Sequence, residues 1–179
     1  MNGVVVKMDI MDIKNTKTNI ALIGMAGAGK STVGRELARL LGLSFVDLDT
    51  LIEADQKMPL QQLLNDVGVL GFRNIEEKVL LSLRYTNHII ATGGSVIYSP
   101  AGIAHLKEMS TLVLLDISVA ILKQRVGDFS ARGLVKTGDQ SFEEVFAERQ
   151  PLYTRYADYI VDCNNQSVSD ICESIMAHV

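Results

Sequence analysis

Nine consecutive residues, Gly24-Met25-Ala26-Gly27-Ala28-Gly29-Lys30-Ser31-Thr32, satisfy the pattern GxxxxGK[ST]. Glycines at these positions let the backbone bend so that several N–H groups point at one anion, and the lysine adds a mobile positive charge. The serine hydroxyl after the lysine is placed to ligate Mg²⁺. The pattern therefore predicts a loop that binds the phosphates of ATP, together with Mg²⁺, through residues Gly27, Ala28, Gly29, Lys30, Ser31 and Thr32.

The flanking sequence supports this interpretation. An apolar run over 19–23 precedes the loop and a helical pattern over 32–41 follows it, which gives the order strand, loop, helix. The competing dinucleotide-binding pattern GxGxxG/A fails because its third glycine position is Thr32.

Two carboxylates, Asp47 and Asp49, follow the next apolar run, 44–48. If the run is a strand, its period of two puts both side chains on one face, at the carboxyl edge where open α/β sheets bind ligands. One carboxylate can then serve Mg²⁺ while the other reaches an acceptor hydroxyl. Solvated residues at a strand end, with Asp49 helping to start the next helix, are the alternative.

Three further groups carry weaker signals. Arg73 and Glu76 lie three residues apart on a helical pattern, as in many surface ion pairs of little energetic value. Gly93 and Gly94 follow a third apolar run and let backbone N–H groups approach a ligand, although a plain turn has the same composition. Arg149 precedes Pro151, which predicts a break or kink in its helix.

The elements that must position these residues alternate between short apolar runs and helical patterns. Near-continuous Val, Ile and Leu runs fit parallel strands covered on both faces, and they fall at 19–23, 44–48, 88–92, 111–116 and 158–162. Capping boxes are predicted at Thr50–Glu53 and Ser141–Glu144, and an N-cap followed by proline at Ser99-Pro100. We therefore expect an α/β, three-layer fold with a five-stranded parallel sheet flanked by helices.

Two regions exceed a simple alternation. About 50–85 is largely helical and longer than one crossover requires, which leaves room for an acceptor-binding region. About 127–140 has three glycines, polar residues and no apolar period, which favours a mobile lid over a plain surface loop beside a nucleotide site.

Length and composition limit the class of protein. The 179 residues, with 47% hydrophobic and 21% charged, fit one globular domain, which we place at 19–179 after an N-terminal extension at 1–18. The net charge of −4 argues against nucleic acid as a partner, and no apolar run is long enough to span a membrane. Cys163 and Cys172 form no metal-binding pattern, so we expect two idle thiols in a reducing cytoplasm. Separately, we expect a monomer.

In combination, these motifs resemble the shikimate kinases over about 19–172. The matching pieces are the phosphate loop GMAGAGKST, the strand end DLD, FRNIE, the ATGG turn, the lid arginine, and the ERQPLY and AD segments. The resemblance implies a nucleoside-monophosphate-kinase-like P-loop fold. It also implies transfer of the ATP γ-phosphoryl group to the 3-hydroxyl of shikimate, in aromatic amino acid biosynthesis.

The resemblance further implies roles for single residues. On the nucleotide side, Lys30 holds the β- and γ-phosphates, Ser31 and Asp47 serve Mg²⁺, Arg132 closes over the transferring group, and Arg125 and the Asn164 loop line the adenine. On the acceptor side, Asp49 orients or deprotonates the attacking hydroxyl, Arg73 and Arg149 bind the carboxylate, Glu76 holds Arg73, and Gly93 and Gly94 supply backbone donors.

Two positions depart from the family pattern and affect acceptor recognition more than ATP binding. Ser95 stands where the family has a third glycine, and Gly133 follows the lid arginine where the family has proline. Kinases of other hydroxy acids or amino alcohols, such as gluconate or homoserine, stay open as alternatives. A nucleotide-binding regulatory homologue without catalysis is a further alternative, although such proteins typically lose the lysine, the metal-site hydroxyl or the acidic pair. The single lid arginine disfavours an adenylate kinase.

Overall fold

Strand β1 is the centre of the sheet in the computed structural model, which describes residues 17–126, 135–136 and 138–179. Five parallel strands lie in the order β2-β3-β1-β4-β5. Their bounds are β1 Asn19–Ile23, β2 Ser44–Asp47, β3 His88–Ala91, β4 Ser110–Asp116 and β5 Tyr159–Asp162. The five predicted runs are thus confirmed as strands, each to within one residue at either end.

The apolar runs are continuous because helices cover both faces of the sheet. All residues of β1 are buried, including Asn19 at its start. The Asn19 amide donates to the carbonyl oxygens of Tyr85 at 2.7 Å and Met109 at 2.9 Å, and its Oδ1 accepts the His88 N–H. A buried polar side chain with these bonds is satisfied, and it ties β1 to the residues that flank β3 and β4.

Helices fill the connections between the strands. Helices α1 and α7 pack together, as do α3 and α4. Their bounds are α1 Lys30–Leu41, α2 Leu48–Gln56, α3 Leu60–Ser82, α4 Pro100–Met109, α5 Val119–Val126, α6 Phe142–Tyr156 and α7 Val168–Met176, with a short 3-10 helix at Val96–Tyr98. The Ser99 cap before Pro100 and the capping box of Ser141 and Glu144 are confirmed.

The predicted capping box at Thr50 is wrong, since α2 begins at Leu48. The carboxylate of Asp47 accepts the N–H of Asp49 at 3.0 Å and so caps the helix earlier. Asp49 therefore lies in the first turn of a helix and not on the strand. The period-two argument for placing both carboxylates on one strand face does not hold, although both remain at the same edge of the sheet.

The helical region predicted at 50–85 consists of α2 and α3. Within α3, Gly68 leaves helical geometry at φ 67° and ψ 178°. In contrast, α6 continues through Pro151, so of the break or kink predicted there, the break does not occur.

The strand order leaves a crevice beyond the carboxyl ends of β1 and β3. From β1 the chain passes α1 and reaches β2 at one edge, whereas from β3 it crosses back to β4 on the other side of β1. Connections that leave neighbouring parallel strands in opposite directions create the crevice in which open α/β sheets bind ligands.

Candidate active site

The crevice contains a cavity of about 520 Å³. Residues predicted from the sequence supply much of its wall, namely 27–32, Asp49, Glu76, Gly93, Gly94, Arg125 and Arg149. Other residues of the wall were not predicted to belong to the site, among them Leu60, Phe72, Ser95, Val135, Gln166, Val168 and Ile171. Ser95 could have been found as a departure from the family pattern, whereas the apolar residues follow ordinary core periodicity.

The phosphate loop runs from β1 into α1 along one wall. Gly24, Gly27 and Gly29 have φ values of 139°, 84° and 95°, which side chains disfavour. A Cβ on Gly24 would also lie 2.9 Å from the Leu115 carbonyl oxygen. Helix α1, all of it within the described residues, has neither a side-chain cap nor an acidic residue in its first turn. Residues 29–33 line the cavity, so the positive end of this helix borders it and can bind an anion.

Lys30 is buried beneath this loop. Its Nζ donates to the carbonyl oxygens of Gly24 at 2.7 Å and Met25 at 2.8 Å. Burial lowers the pKa of Lys30 to about 8, although Asp49 and Asp47 oppose that shift. An ammonium has three donors, so one remains for a phosphate oxygen.

Ser31 and Asp47 form a pair beside Lys30. The Ser31 hydroxyl donates to Asp47 Oδ2 at 2.6 Å, while Asp47 Oδ1 accepts the backbone N–H of Asp49. Among the described residues, no group of three or more His, Cys, Asp or Glu could hold a metal ion. Mg²⁺ keeps several water ligands and also binds substrate phosphates, so it needs few ligands from the protein. One hydroxyl and one carboxylate therefore fit this ion.

Two acidic side chains, Asp49 and Glu76, flank Gly93 at the other end of the cavity. A Cβ on Gly93 would overlap Glu76 Oε1 and lie 3.1 Å from Asp49 Oδ1, so only glycine fits between them. Burial raises the pKa of Asp49 to about 6 against the opposing charge of Lys30. Burial likewise raises the pKa of Glu76 to about 7, and a hydrogen bond from Ser95 opposes this rise.

Arg149 is only 1% exposed and reaches the cavity from α6. Its Nη1 donates to the Gly94 carbonyl oxygen at 3.2 Å and its Nη2 donates to the carbonyl oxygen of Val135. The Tyr153 hydroxyl donates to the same Gly94 oxygen at 2.5 Å. Gly94 is thus fixed by two side chains, and the guanidinium brings positive charge to the acidic end of the cavity.

Arg73 differs from Arg149 because it does not line the cavity. Its guanidinium carbon lies 3.7 Å from the centroid of the Tyr98 ring, and its buried Nε has no hydrogen-bond partner. The expected pair between Arg73 and Glu76 is not formed among the described residues. Instead, Glu76 Oε2 accepts from Ser95 at 2.6 Å and Glu76 Oε1 has no partner.

The two residues predicted to line the adenine, Arg125 and Asn164, differ in their position relative to the cavity. Arg125 lines the cavity, but Asn164 does not. Asn164 Oδ1 accepts the Ser118 N–H at 2.9 Å and its Nδ2 donates to Asp162 Oδ1 at 2.6 Å. Asn164 thus ties the loop after β5 to the loop after β4, and Gln166 takes a place in the wall.

Arg132 and most of the predicted lid lie outside the described residues, as does nearly all of the predicted extension at 1–18. At the far end of the lid, Val135 is buried and Lys136 donates to the Gln140 carbonyl oxygen at 2.8 Å. In the described part of the chain, none of the helices combines the length and apolar character that crossing a bilayer requires. Both cysteines are buried and free of disulfides.

Comparison with known proteins identifies close similarity over most of the chain. A family model for shikimate kinase matches residues 26–179. A shikimate kinase of Staphylococcus epidermidis is 36% identical over 164 residues, which cover 91% of this chain and 96% of the relative. One from Caldanaerobacter subterraneus subsp. tengcongensis is 32% identical over 161 residues, covering 88% and 94%. The structure of shikimate kinase from Acinetobacter baumannii in complex with shikimate has a TM-score of 0.81 at 33% identity, covering 90% and 92%.

Proposed function

The chain belongs to the shikimate kinase family, and we propose that its residues transfer the γ-phosphoryl group of ATP to the 3-hydroxyl of shikimate. Its function is the ATP-dependent phosphorylation of shikimate, a step of aromatic amino acid biosynthesis. One observation supports the residue roles most directly. A single cavity has the phosphate loop, the partly buried carboxylate of Asp49 and the buried guanidinium of Arg149 in its wall.

The nucleotide binds at the phosphate-loop end. Backbone N–H groups of residues 27–32 and the positive end of α1 hold the phosphates, and Lys30 turns its remaining donor to the β- and γ-phosphates. Arg125 borders the adenine, while Asn164 supports that border from behind through its bond to Ser118. Arg132 closes over the transferring group from the lid.

Mg²⁺ would be held by the Ser31 hydroxyl, with Asp47 beside it. When bound, this ion would neutralise part of the charge on the phosphates. The 2.6 Å bond between Ser31 and Asp47 supports this assignment, because it brings two oxygen ligands of the kind that Mg²⁺ prefers to one point.

Shikimate binds at the acidic end of the cavity. Arg149, in the cavity wall, binds its carboxylate. Arg73 does not line the cavity, and we assign it to the same carboxylate because it shares the Tyr98 ring with Arg149. The glycines at 93 and 94 give the ring of shikimate a close approach to the backbone, and Glu76 limits the pocket from the side. Asp49 accepts a hydrogen bond from the attacking hydroxyl. Two guanidinium groups suit a carboxylate because each can donate two parallel bonds to it.

The chemical step forms a bond between the acceptor oxygen and the γ-phosphorus and breaks the bond to the leaving ADP oxygen. The hydroxyl proton passes to the carboxylate of Asp49, whose raised pKa makes it a better base near neutral pH than an ordinary aspartate. Lys30 and Arg132 stabilise charge on the transferring group, so positioning and electrostatics supply most of the catalysis.

We further propose that the protein acts as a monomer in the cytoplasm. Two free thiols support a reducing compartment. The partner in the reaction is the small-molecule acceptor, without nucleic acid or membrane.

A coupled assay of ADP release tests the function, with shikimate, homoserine and gluconate compared as acceptors. We expect turnover with shikimate alone and its loss on removal of Mg²⁺. Asp49→Asn should abolish turnover, whereas Asp55→Asn, an exposed aspartate of the same helix, should leave it unchanged. Turnover with homoserine or gluconate but not with shikimate would refute the assignment.

A further inference from the structure

Tyr98, at the end of the 3-10 helix, contacts both arginines assigned to the acceptor site. The guanidinium carbon of Arg73 is 3.7 Å from the ring centroid of Tyr98, and that of Arg149 is 5.4 Å from it. Both distances are within the range of about 6 Å over which an aromatic ring attracts a cation. One ring therefore contacts two like charges that arrive from different helices, α3 and α6.

The ring is itself fixed through its hydroxyl. Tyr98 donates to Glu148 Oε1 at 2.5 Å, and Arg149 Nε lies 3.4 Å from the same hydroxyl oxygen. Glu148 is held in turn by the amide of Gln140, which donates to its other oxygen at 2.9 Å. The orientation of the ring therefore depends on α6 and on the residues immediately before it.

The contact with Tyr98 holds Arg73 without neutralising it. An ion pair with Glu76 would occupy guanidinium donors and cancel the charge, but Ser95 binds that carboxylate instead. A ring face attracts the cation while leaving the N–H groups in the guanidinium plane free to bind an anion. The ring also offsets part of the repulsion between the two guanidinium groups.

We propose that Tyr98 is a positioning residue that holds Arg73 and Arg149 at the spacing needed to bind the acceptor carboxylate. The inference rests on the proposed function, because it assigns these arginines to that carboxylate. Tyr98 touches neither ATP nor the reacting atoms and acts on acceptor binding alone.

Two variants separate the role of the Tyr98 ring from that of its hydroxyl. Tyr98→Leu removes the ring but keeps apolar bulk, and it should raise the KM for shikimate by about tenfold, with kcat and the KM for ATP within about threefold of the parent. Tyr98→Phe keeps the ring and should raise the KM for shikimate by less than about threefold. If the leucine variant fails to fold, Tyr98→Met, with a long flexible side chain, replaces it.

The methyl ester of shikimate distinguishes positioning from packing, since it lacks the charged carboxylate. The parent should use the ester with a higher KM than shikimate, and Tyr98→Leu should leave the KM for the ester nearly unchanged. In an Arg73→Lys background the effect of Tyr98→Leu on the KM for shikimate should shrink, because the ring acts through Arg73.

Each failure is recognisable. An equal loss with shikimate and its ester, or a parallel rise in the KM for ATP, would mean that Tyr98 only packs, and would overturn the inference while leaving the function in place. An unchanged KM for shikimate in Tyr98→Leu would overturn it in the same way. A parent protein that does not phosphorylate shikimate would overturn the proposed function and this inference together.

Discussion

The hydroxyl of Ser95 donates to Oε2 of Glu76 at 2.6 Å, and both side chains are buried at the acceptor end of the cavity. This bond holds one carboxyl oxygen of Glu76, while Glu76 Oε1 has no partner and Arg73 contacts the Tyr98 ring. A serine at this position therefore changes more than the shape of the pocket. It decides which carboxyl oxygen of Glu76 is held.

Glu76 should make the stability of the protein depend on pH. Burial raises the pKa of Glu76 from its ordinary 4.5 to about 7, so the folded state holds this proton more tightly than the unfolded chain does. The resulting stabilisation is complete below about pH 4.5 and is lost as the pH rises to about 7. The Glu76→Gln variant has no carboxyl group to titrate at this position and so does not lose this stabilisation. Its free energy of unfolding, relative to that of the parent, should therefore rise by about 3 kcal/mol between pH 4.5 and 7.

Urea unfolding of both proteins at pH 5 and pH 8 measures this difference. In a protein that keeps Glu76, Ser95→Ala should enlarge the loss of stability with rising pH, because the hydrogen bond from Ser95 lowers the pKa of Glu76. Parallel changes in the parent and in Glu76→Gln would show that Glu76 does not carry the effect.

Lys30→Ala should lower kcat by at least ~100-fold, since the variant loses a charge aimed at the transferring group. The fold should persist because Lys30 is a buried cation, and its removal ends an unfavourable desolvation. Steady-state kinetics with ATP and shikimate measure the loss, and circular dichroism checks the fold. Lys78→Ala, an exposed lysine of α3, is the control. Activity of Lys30→Ala within tenfold of the parent would contradict the role given to Lys30.

Arg73→Lys should weaken shikimate binding although the charge is kept. A guanidinium donates two parallel bonds to a carboxylate and stacks on a ring, whereas an ammonium does neither well. We expect a loss of about 1.5–3 kcal/mol in acceptor binding, with the KM for ATP little changed. Arg84→Lys, at an exposed site, controls for the exchange. An unchanged KM for shikimate would assign Arg73 to packing against Tyr98 alone.

The two kcat/KM values should fall at opposite ends of the pH range. Asp49 accepts a proton only when ionised, and its pKa of about 6 predicts that kcat/KM for shikimate falls below pH 6. Lys30 must be protonated, and its pKa of about 8 predicts that kcat/KM for ATP falls above pH 8. Bound phosphate raises the pKa of Lys30, so the alkaline fall in kcat should lie higher. If Glu76→Gln abolishes the acid fall, the titrating group is Glu76 and not Asp49.

The lid prediction comes from the sequence, because Arg132 lies outside the described residues. Arg132→Ala should lower kcat by about 10²–10⁴ through loss of a transition-state charge, with a far smaller change in nucleotide affinity. Lys136→Ala removes a cation from the same segment and should have little effect. Hydrogen exchange over 127–140 should slow when ADP and shikimate are bound. Equal exchange with and without these ligands would mean that the segment does not close.

The sequence determined the features that depend on neighbouring residues. The phosphate loop is one continuous motif, so its glycines, Lys30 and Ser31 could be assigned from spacing alone, and the strand runs and the caps at Ser99 and Ser141 are equally local. Asp49 marks the limit of local reasoning, because the carboxylate of Asp47 caps a helix that begins at Leu48, one residue before Asp49 and ahead of the predicted cap at Thr50.

Only the tertiary structure decided the contacts between distant segments. Ser95 meets Glu76 across 19 residues, Asn164 meets Ser118 across 46, and Arg149 meets Gly94 across 55. Each contact depends on how helices pack on the sheet and on which side-chain rotamer that packing allows, and neither leaves a periodic pattern in the chain. The same reason placed Tyr98 in contact with two arginines, where the sequence shows only an ordinary turn before a helix.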